Sequence, residues 1–203
     1  MNIAAVILSY LIGAVSFSYV TGQLLKKLDI RDHGSGNAGA TNTLRVLGIG
    51  PAVAVLLLDC AKGIAAVWIG YAVSGGDPLI AALCGTASVL GHNWPVYFGF
   101  RGGKGVATTI GVLATLVFWP ALIAGIVAIS VIVITRYVSL GSLLFMIGTT
   151  IITALFNQFF DYPFVYVYFL AALTLLSLWK HRENVNRLIK GSESKLGEKV
   201  ETT

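Results

Sequence analysis

Long apolar runs separated by short polar, glycine-rich connectors set the pattern of this chain. Runs near or above 18 residues with few charges are long enough to cross a bilayer. They fall at roughly 3–25, 51–72, 79–98, 105–118, 120–135, 138–156 and 163–179. The pattern predicts an all-α, polytopic membrane protein of about seven transmembrane helices. Residues 105–135 read either as one long tilted helix or as two short ones broken at Trp119-Pro120.

The basic residues choose between these. Lys26, Lys27, Arg31 and Arg45 follow the first run, and Arg101 and Lys104 the third. Arg136 follows the fifth, and Lys180, Arg182, Arg187, Lys190, Lys195 and Lys199 the seventh. The opposite connectors, 74–78 and 157–163, hold no Lys or Arg. Positive charge marks the cytoplasmic side. Two crossings between 105 and 135 put every basic connector inside, so the N-terminus is expected outside and the C-terminus in the cytoplasm. The first run lacks a basic n-region and an obvious cleavage site, so it reads as a retained span, not a signal peptide.

Composition agrees. Of 203 residues, 56% are hydrophobic and 11% charged, and the mean hydropathy is +0.82, which argues against an ordinary soluble domain. The net charge of +5 describes one face and suits anionic headgroups. Cys60 and Cys84 fall within runs, form no metal motif and read as packing residues. No repeat or long linker appears. One membrane domain over 1–203 is therefore expected, with cytoplasmic loops near 31–50, 91–105, 136–142 and 180–203. Asp59 and Lys62, three apart inside the second run, share a helix face. They read as a packing pair or as a functional pair.

Three cytoplasmic segments carry candidate chemistry. Residues 34–45, GSGNAGATNTLR, form a turn-rich loop in which Ser35 and Asn37 add side-chain donors. Arg45 can clamp a phosphate bidentately, and Thr41-Asn42-Thr43 can cap a short helix towards Leu47. Residues 91–105, GHNWPVYFGFRGGKG, place His92 at a helix end. Pro95 ends or kinks that helix, and Arg-Gly-Gly-Lys-Gly leads into the next one, a setting for backbone donors at a helix N-terminus. Walker A spacing is absent. In 179–187, WKHRENVNR, His181 and Asn184 share one helical face, as do Glu183 and Arg187. Arg136 and Ser142 in RYVSLGS form a smaller fourth element. No hydrolase elbow or zinc-binding helix motif is present, so catalysis is expected to rest on positioning and charge stabilisation.

GSGNAGATN with Arg45, GHNWPVYFGFRGGKGVAT, RYVSLGS and HRENVNRLIKGSESKLG, together with LLLDCAKG at 56–63, resemble the bacterial acyl-phosphate:glycerol-3-phosphate acyltransferase family. Arg101 stands where Lys is also usual in that family. The resemblance spans nearly the whole chain. It implies a plasma-membrane enzyme that acylates the 1-hydroxyl of glycerol 3-phosphate from acyl phosphate at the cytoplasmic face. It also implies transient contact with the soluble phosphate acyltransferase that makes the donor. No cofactor, metal or nucleic-acid partner is implied. Lys104, His181 and Arg45 would be catalytic. Ser35, Gly36, Asn37, Asn42, His92, Gly102, Gly103, Gly105, Ser142 and Asn184 would join them in binding substrate. Within that set, Gly102, Gly103, Gly105, Ser35 and Gly36 would donate to the acyl-phosphate phosphate. Arg45, Lys104, Ser142, His181 and Asn184 would hold glycerol 3-phosphate. The hydroxyl proton would pass to a substrate phosphate or to His181. A small-anion transporter would place charges at the midplane of a repeat, and a structural subunit would show no turnover.

Overall fold

The structure is a computed structural model that describes residues 1–198; Lys199, the last basic residue of the tail, lies outside the described residues. All regular elements in it are helical, as the apolar runs predict. In chain order they are α1 (Asn2–Gly13), α2 (Phe17–Lys26), α3 (Ala40–Leu47), α4 (Ile49–Ser74) and α5 (Pro78–Asn93). After these come α6 (Val106–Leu116), α7 (Phe118–Thr135), α8 (Val138–Phe160), α9 (Val165–Lys180) and α10 (Arg182–Ile189). Single 3-10 turns lie at Ile30–Asp32 and Val96–Phe98.

Among the described residues, four segments are long and apolar enough to cross a membrane: Asn2–Lys26, Ile49–Ser74, Phe118–Thr135 and Val138–Phe160. Val106–Leu116 and Val165–Lys180 are shorter apolar helices. The first segment is not the single rod that its hydropathy suggests. It breaks at Ala14–Ser16, where Ser16 takes an extended conformation as the N-cap of α2. The break between α6 and α7 falls at Val117, two residues before Trp119-Pro120. Pro120 thus sits in the first turn of α7, where its missing N–H has no helical partner to lose.

The chain divides into two compact units, residues 1–112 and 113–198. In the first, α1, α4 and α5 pack on one another and α3 packs on α4. Backbones approach closely where side chains are missing. A Cβ at Gly13 would strike the Ser88 backbone, and one at Gly91 the Tyr10 carbonyl. A Cβ at Gly63 would meet Thr108, and one at Gly111 the Cys60 carbonyl. Small residues at helix contacts are the usual means of tight packing in membranes. Polarity runs inside out: Leu57 and Trp68 on α4 are exposed, while Asp59 and Lys62 on the same helix are buried. In the second unit α8 packs against α7 and α9. Ile126, Ile129, Val133 and Leu155 face outward, while Thr149, Thr153 and Thr174 are buried. Thr150 and Thr174 join hydroxyls across α8 and α9 at 2.8 Å. This distribution suits lipid as the solvent.

Candidate active site

The first glycine-rich loop closes on one side chain. Asn42 is 1% exposed. Its Oδ1 accepts the Ser35 N–H at 2.8 Å. Its Nδ2 donates to the carbonyls of Ile30 and His33, both at 3.0 Å. The loop can turn this sharply because Gly34 and Gly36 hold φ values of 61° and 69°, a region open to glycine at little cost. The helix that follows starts at Ala40 with Gly39 as its N-cap. The Thr41-Asn42-Thr43 cap expected from the sequence is therefore displaced. Asn42 caps the loop instead, and the Thr43 hydroxyl bonds back to the Gly39 carbonyl at 3.1 Å. Arg45 lies in the last turn of this short helix.

The second loop leaves α5 at Asn93 and reverses through Gly99 and Phe100, both at positive φ. It returns so that the Gly103 N–H donates to the His92 carbonyl at 3.1 Å. Gly103 is needed here. A Cβ on it would strike the His92 Nε2 and the carbonyl oxygen of Ala38, so the two glycine-rich loops meet at this point. Gly102 is pressed against the His92 carbonyl and Pro95, and Gly105 against the Asn93 side chain. Lys104, half-buried, stands two residues ahead of α6.

Arg31 ties the second loop to Asp29. Its guanidinium grips Asp29 through Nε and Nη2 at 2.7–3.1 Å and donates through Nη1 to the carbonyls of Phe98 and Arg101 at 2.7 and 3.2 Å. It also lies over the Tyr19 ring, 4.9 Å from the centroid. These hydrogen bonds hold the Asp29 carboxyl below its usual range, against an opposing push from burial.

In the second unit a carboxylate organises the polar end. Glu193 Oε1 accepts from the Ser139 hydroxyl and from Asn184 Nδ2, each at 2.6 Å, and its Oε2 accepts from Arg187 Nε at 2.7 Å. Alongside, Arg136 donates to the Leu196 carbonyl through Nε and Nη2, and the Leu196 N–H returns to the Arg136 carbonyl at 2.7 Å. Residues 193–197 are thereby strapped over the start of α8. His181, 3% exposed, places Nδ1 at 2.9 Å from the Ser177 carbonyl. A carbonyl can only accept, so Nδ1 carries a proton.

The chain carrying these two glycine-rich loops matches a known family. The family model for glycerol-3-phosphate acyltransferase fits residues 3–191. The chain belongs to that family. It is 63% identical over 198 residues to the glycerol-3-phosphate acyltransferase of Shouchella clausii, covering 97% of each chain. It is 59% identical to that of Halalkalibacterium halodurans, covering 98% of this chain and 97% of the relative. Two crystal structures of PlsY (YgiH), an integral membrane glycerol 3-phosphate acyltransferase, superpose at 39% identity. The glycerol 3-phosphate form has a TM-score of 0.88 and covers 97% of this chain and 96% of that one. The lysophosphatidic acid form has a TM-score of 0.86 and covers 97% and 95%.

Against this family membership, the structure sorts the residues singled out by sequence. Ser35, Gly36, Asn37, Asn42, Arg45, His92, Gly102, Gly103, Lys104 and Gly105 all fall in the first unit. Ser142, His181 and Asn184 fall in the second. Several expected substrate donors are engaged inside the protein: the Ser35 N–H on Asn42, the Gly36 N–H on the His33 carbonyl, and the Gly103 N–H on the His92 carbonyl. Ser142 donates to the Val138 carbonyl at 2.8 Å, and Asn184 to Glu193. The carboxylate on Arg187 is Glu193, where the helical spacing pointed to Glu183. Arg31 and Glu193 were missed. Arg31 reads as one more topology residue because two of its acceptors are backbone carbonyls nearly 70 positions away. Glu193 sits in a polar tail with no periodicity to mark it.

Glu193 gives a pH signature. Burial pushes its carboxyl up, but hydrogen bonds from Ser139, Asn184 and Arg187, with the Arg187 charge, bring it below the usual carboxylate range. Its folded value is depressed, so its contribution is complete above the unfolded value and is lost as pH falls through the folded one. Amide exchange of 192–198, corrected for intrinsic rates, should stay slow at neutral pH and accelerate as the pH falls below the usual carboxylate range. Glu193→Ala should show the fast rate at neutral pH. Equal protection in Glu193→Ala and the unaltered chain would contradict the strap.

Proposed function

We propose that this chain transfers a fatty acyl group from acyl phosphate to the 1-hydroxyl of glycerol 3-phosphate, giving lysophosphatidic acid and phosphate. On this reading it carries out the first acylation of phospholipid synthesis in a bacterial plasma membrane. The observation that supports it most is the meeting of the two glycine-rich loops at Gly103 and Ala38, flanked in sequence by Lys104 and Arg45, in a chain of this family. The relatives are named for glycerol 3-phosphate, and the two PlsY structures are of its glycerol 3-phosphate and lysophosphatidic acid forms.

An acyl phosphate brings its own leaving group. The glycerol hydroxyl oxygen attacks the acyl carbonyl carbon and forms the ester C–O bond. The bond from that carbon to the phosphate oxygen breaks, and phosphate leaves with the electron pair. The hydroxyl proton passes to the departing phosphate, with His181 as the protein alternative. Both substrates carry phosphate, so the protein's task is to hold two anions close together and to neutralise charge as it moves. The Ser35 hydroxyl and the Arg45 and Lys104 side chains serve the phosphates, and Lys104 neutralises the leaving group. The engaged N–H groups of Ser35, Gly36 and Gly103 keep the loops in shape. Contact with the soluble enzyme that makes the donor is transient and falls on the cytoplasmic face.

The charge pattern supports seven crossings with an outer N-terminus. A Gly76→Cys variant should then react with a membrane-impermeant maleimide in intact cells and a Ser192→Cys variant should not; the reverse labelling would invert the topology. Purified chain given glycerol 3-phosphate and palmitoyl phosphate should release lysophosphatidic acid and phosphate in equal amounts, and should release none with palmitoyl-CoA. Product from the CoA donor would reassign the donor, and product from neither would remove the enzyme reading. Arg45→Ala or Lys104→Ala should lower kcat/KM by about 100-fold or more in folded protein. Near-normal turnover in either variant would remove that residue from the site.

A further inference from the structure

Beneath the second loop lies a buried cluster that the reaction as written does not use. The Lys62 ammonium on α4 faces three acceptors: Asp59 Oδ1 at 2.7 Å, the Val15 carbonyl at 2.9 Å and His92 Nδ1 at 2.9 Å. Asp59, Lys62 and His92 are 1%, 4% and 6% exposed. The Val15 carbonyl is offered because the first apolar segment breaks there. An ammonium has three N–H groups and no lone pair; His92 Nδ1 lies 2.9 Å from it and 3.5 Å from Asp59 Oδ1, so the shorter contact is the hydrogen bond and Nδ1 accepts. The ring proton of His92 is then on Nε2. Charge agrees: an anionic Asp59, a cationic Lys62 and a neutral imidazole sum to zero, and a second buried cation would have no counter-ion in the cluster.

The other edge of the ring lies where the loops meet. A Cβ on Gly103 would strike both His92 Nε2 and the Ala38 carbonyl oxygen, so these atoms border the same small space. An Nε2–H suits a junction lined by a carbonyl. With the proton on Nδ1 instead, the Nε2 lone pair would face the Ala38 oxygen and push the loops apart.

We propose that Asp59 and Lys62 are positioning residues for the substrate loops: they hold His92 as the neutral Nε2–H tautomer, and that N–H joins the loop of Gly103 to the loop of Ala38. The proposal rests on the functional reading only for the claim that these loops handle substrate phosphate. A pair that served helix packing alone would have no reason to direct a third donor at His92.

The test uses the full chain in nanodiscs, labelled with 15N-histidine. The chain has 3 histidines, and His92→Gln assigns the signal. Near neutral pH the unaltered chain should show His92 as Nε2–H, and a signal for Nδ1–H or imidazolium would overturn the proposal. In Lys62→Met the ring should leave that tautomer. KM for a phosphate substrate should rise, and kcat/KM should fall on the order of 100-fold, the scale expected when reacting groups are misplaced from a distance. Lys62→Arg, which keeps a donor, should recover part of both. If Lys62→Met holds the Nε2–H tautomer and an unaltered KM, the proposal fails; if it does not fold, the unaltered spectrum and Lys62→Arg decide. A correct tautomer that shifts in Lys62→Met, in a chain with no acyl transfer, would keep the positioning and discard the enzyme reading. Normal turnover with the wrong tautomer would do the opposite.

Discussion

The Asn42 carboxamide holds the first loop, and the shape of the polar end of the first unit follows from it. One buried amide gives the Ser35 N–H its acceptor and adds a second hydrogen bond to the Ile30 and His33 carbonyls, which also accept from the turn's own N–H groups. Buried backbone groups left unpaired are costly. Aspartate in this place would offer no donors to the two carbonyls, and a side chain at Gly34 would collide with Asn42 Oδ1. With that loop fixed, Ala38 has a set position, Gly103 can lie against it, and Arg31 can reach the Phe98 and Arg101 carbonyls. The N–H groups of Ser35, Gly36 and Gly103 are thus spent inside the protein, which is why the proposed reading assigns the phosphates to side chains.

The same economy appears in the second unit with charge in place of an amide. Glu193 gathers Ser139, Asn184 and Arg187, while Arg136 and Leu196 exchange hydrogen bonds beside it. Apolar side chains face outward in both units and polar ones turn inward. In a lipid solvent, polar contacts inside the protein do much of the fixing that an apolar core does in water.

Much of this was legible in the sequence. The apolar runs marked the helices because spanning segments need length and hydropathy, both linear properties of the chain. The spacing of Asp59 and Lys62 put them on one face, and they do pair. The glycine-rich segments were visible as loops, and their motifs led to the family. What stayed hidden depended on distance in space. No periodicity signals the break at Ala14–Ser16, which matters because the Val15 carbonyl turns to Lys62 47 positions away. That Asn42 takes the Ser35 N–H inside the loop was hidden because a loop's donors look alike in sequence, whichever of them the fold engages. Arg31 and Glu193 were passed over for the same reason: their partners are remote carbonyls, or side chains in another helix.

The most direct test is a crystal structure of this chain with glycerol 3-phosphate bound. The account predicts phosphate oxygens within hydrogen-bond reach of the Arg45 and Lys104 side chains. It also predicts that the N–H groups of Ser35, Gly36 and Gly103 will still donate to Asn42, His33 and His92. If those three N–H groups turn from their internal acceptors to the phosphate, the loops are the ligand's cradle and not its scaffold, and the account is wrong.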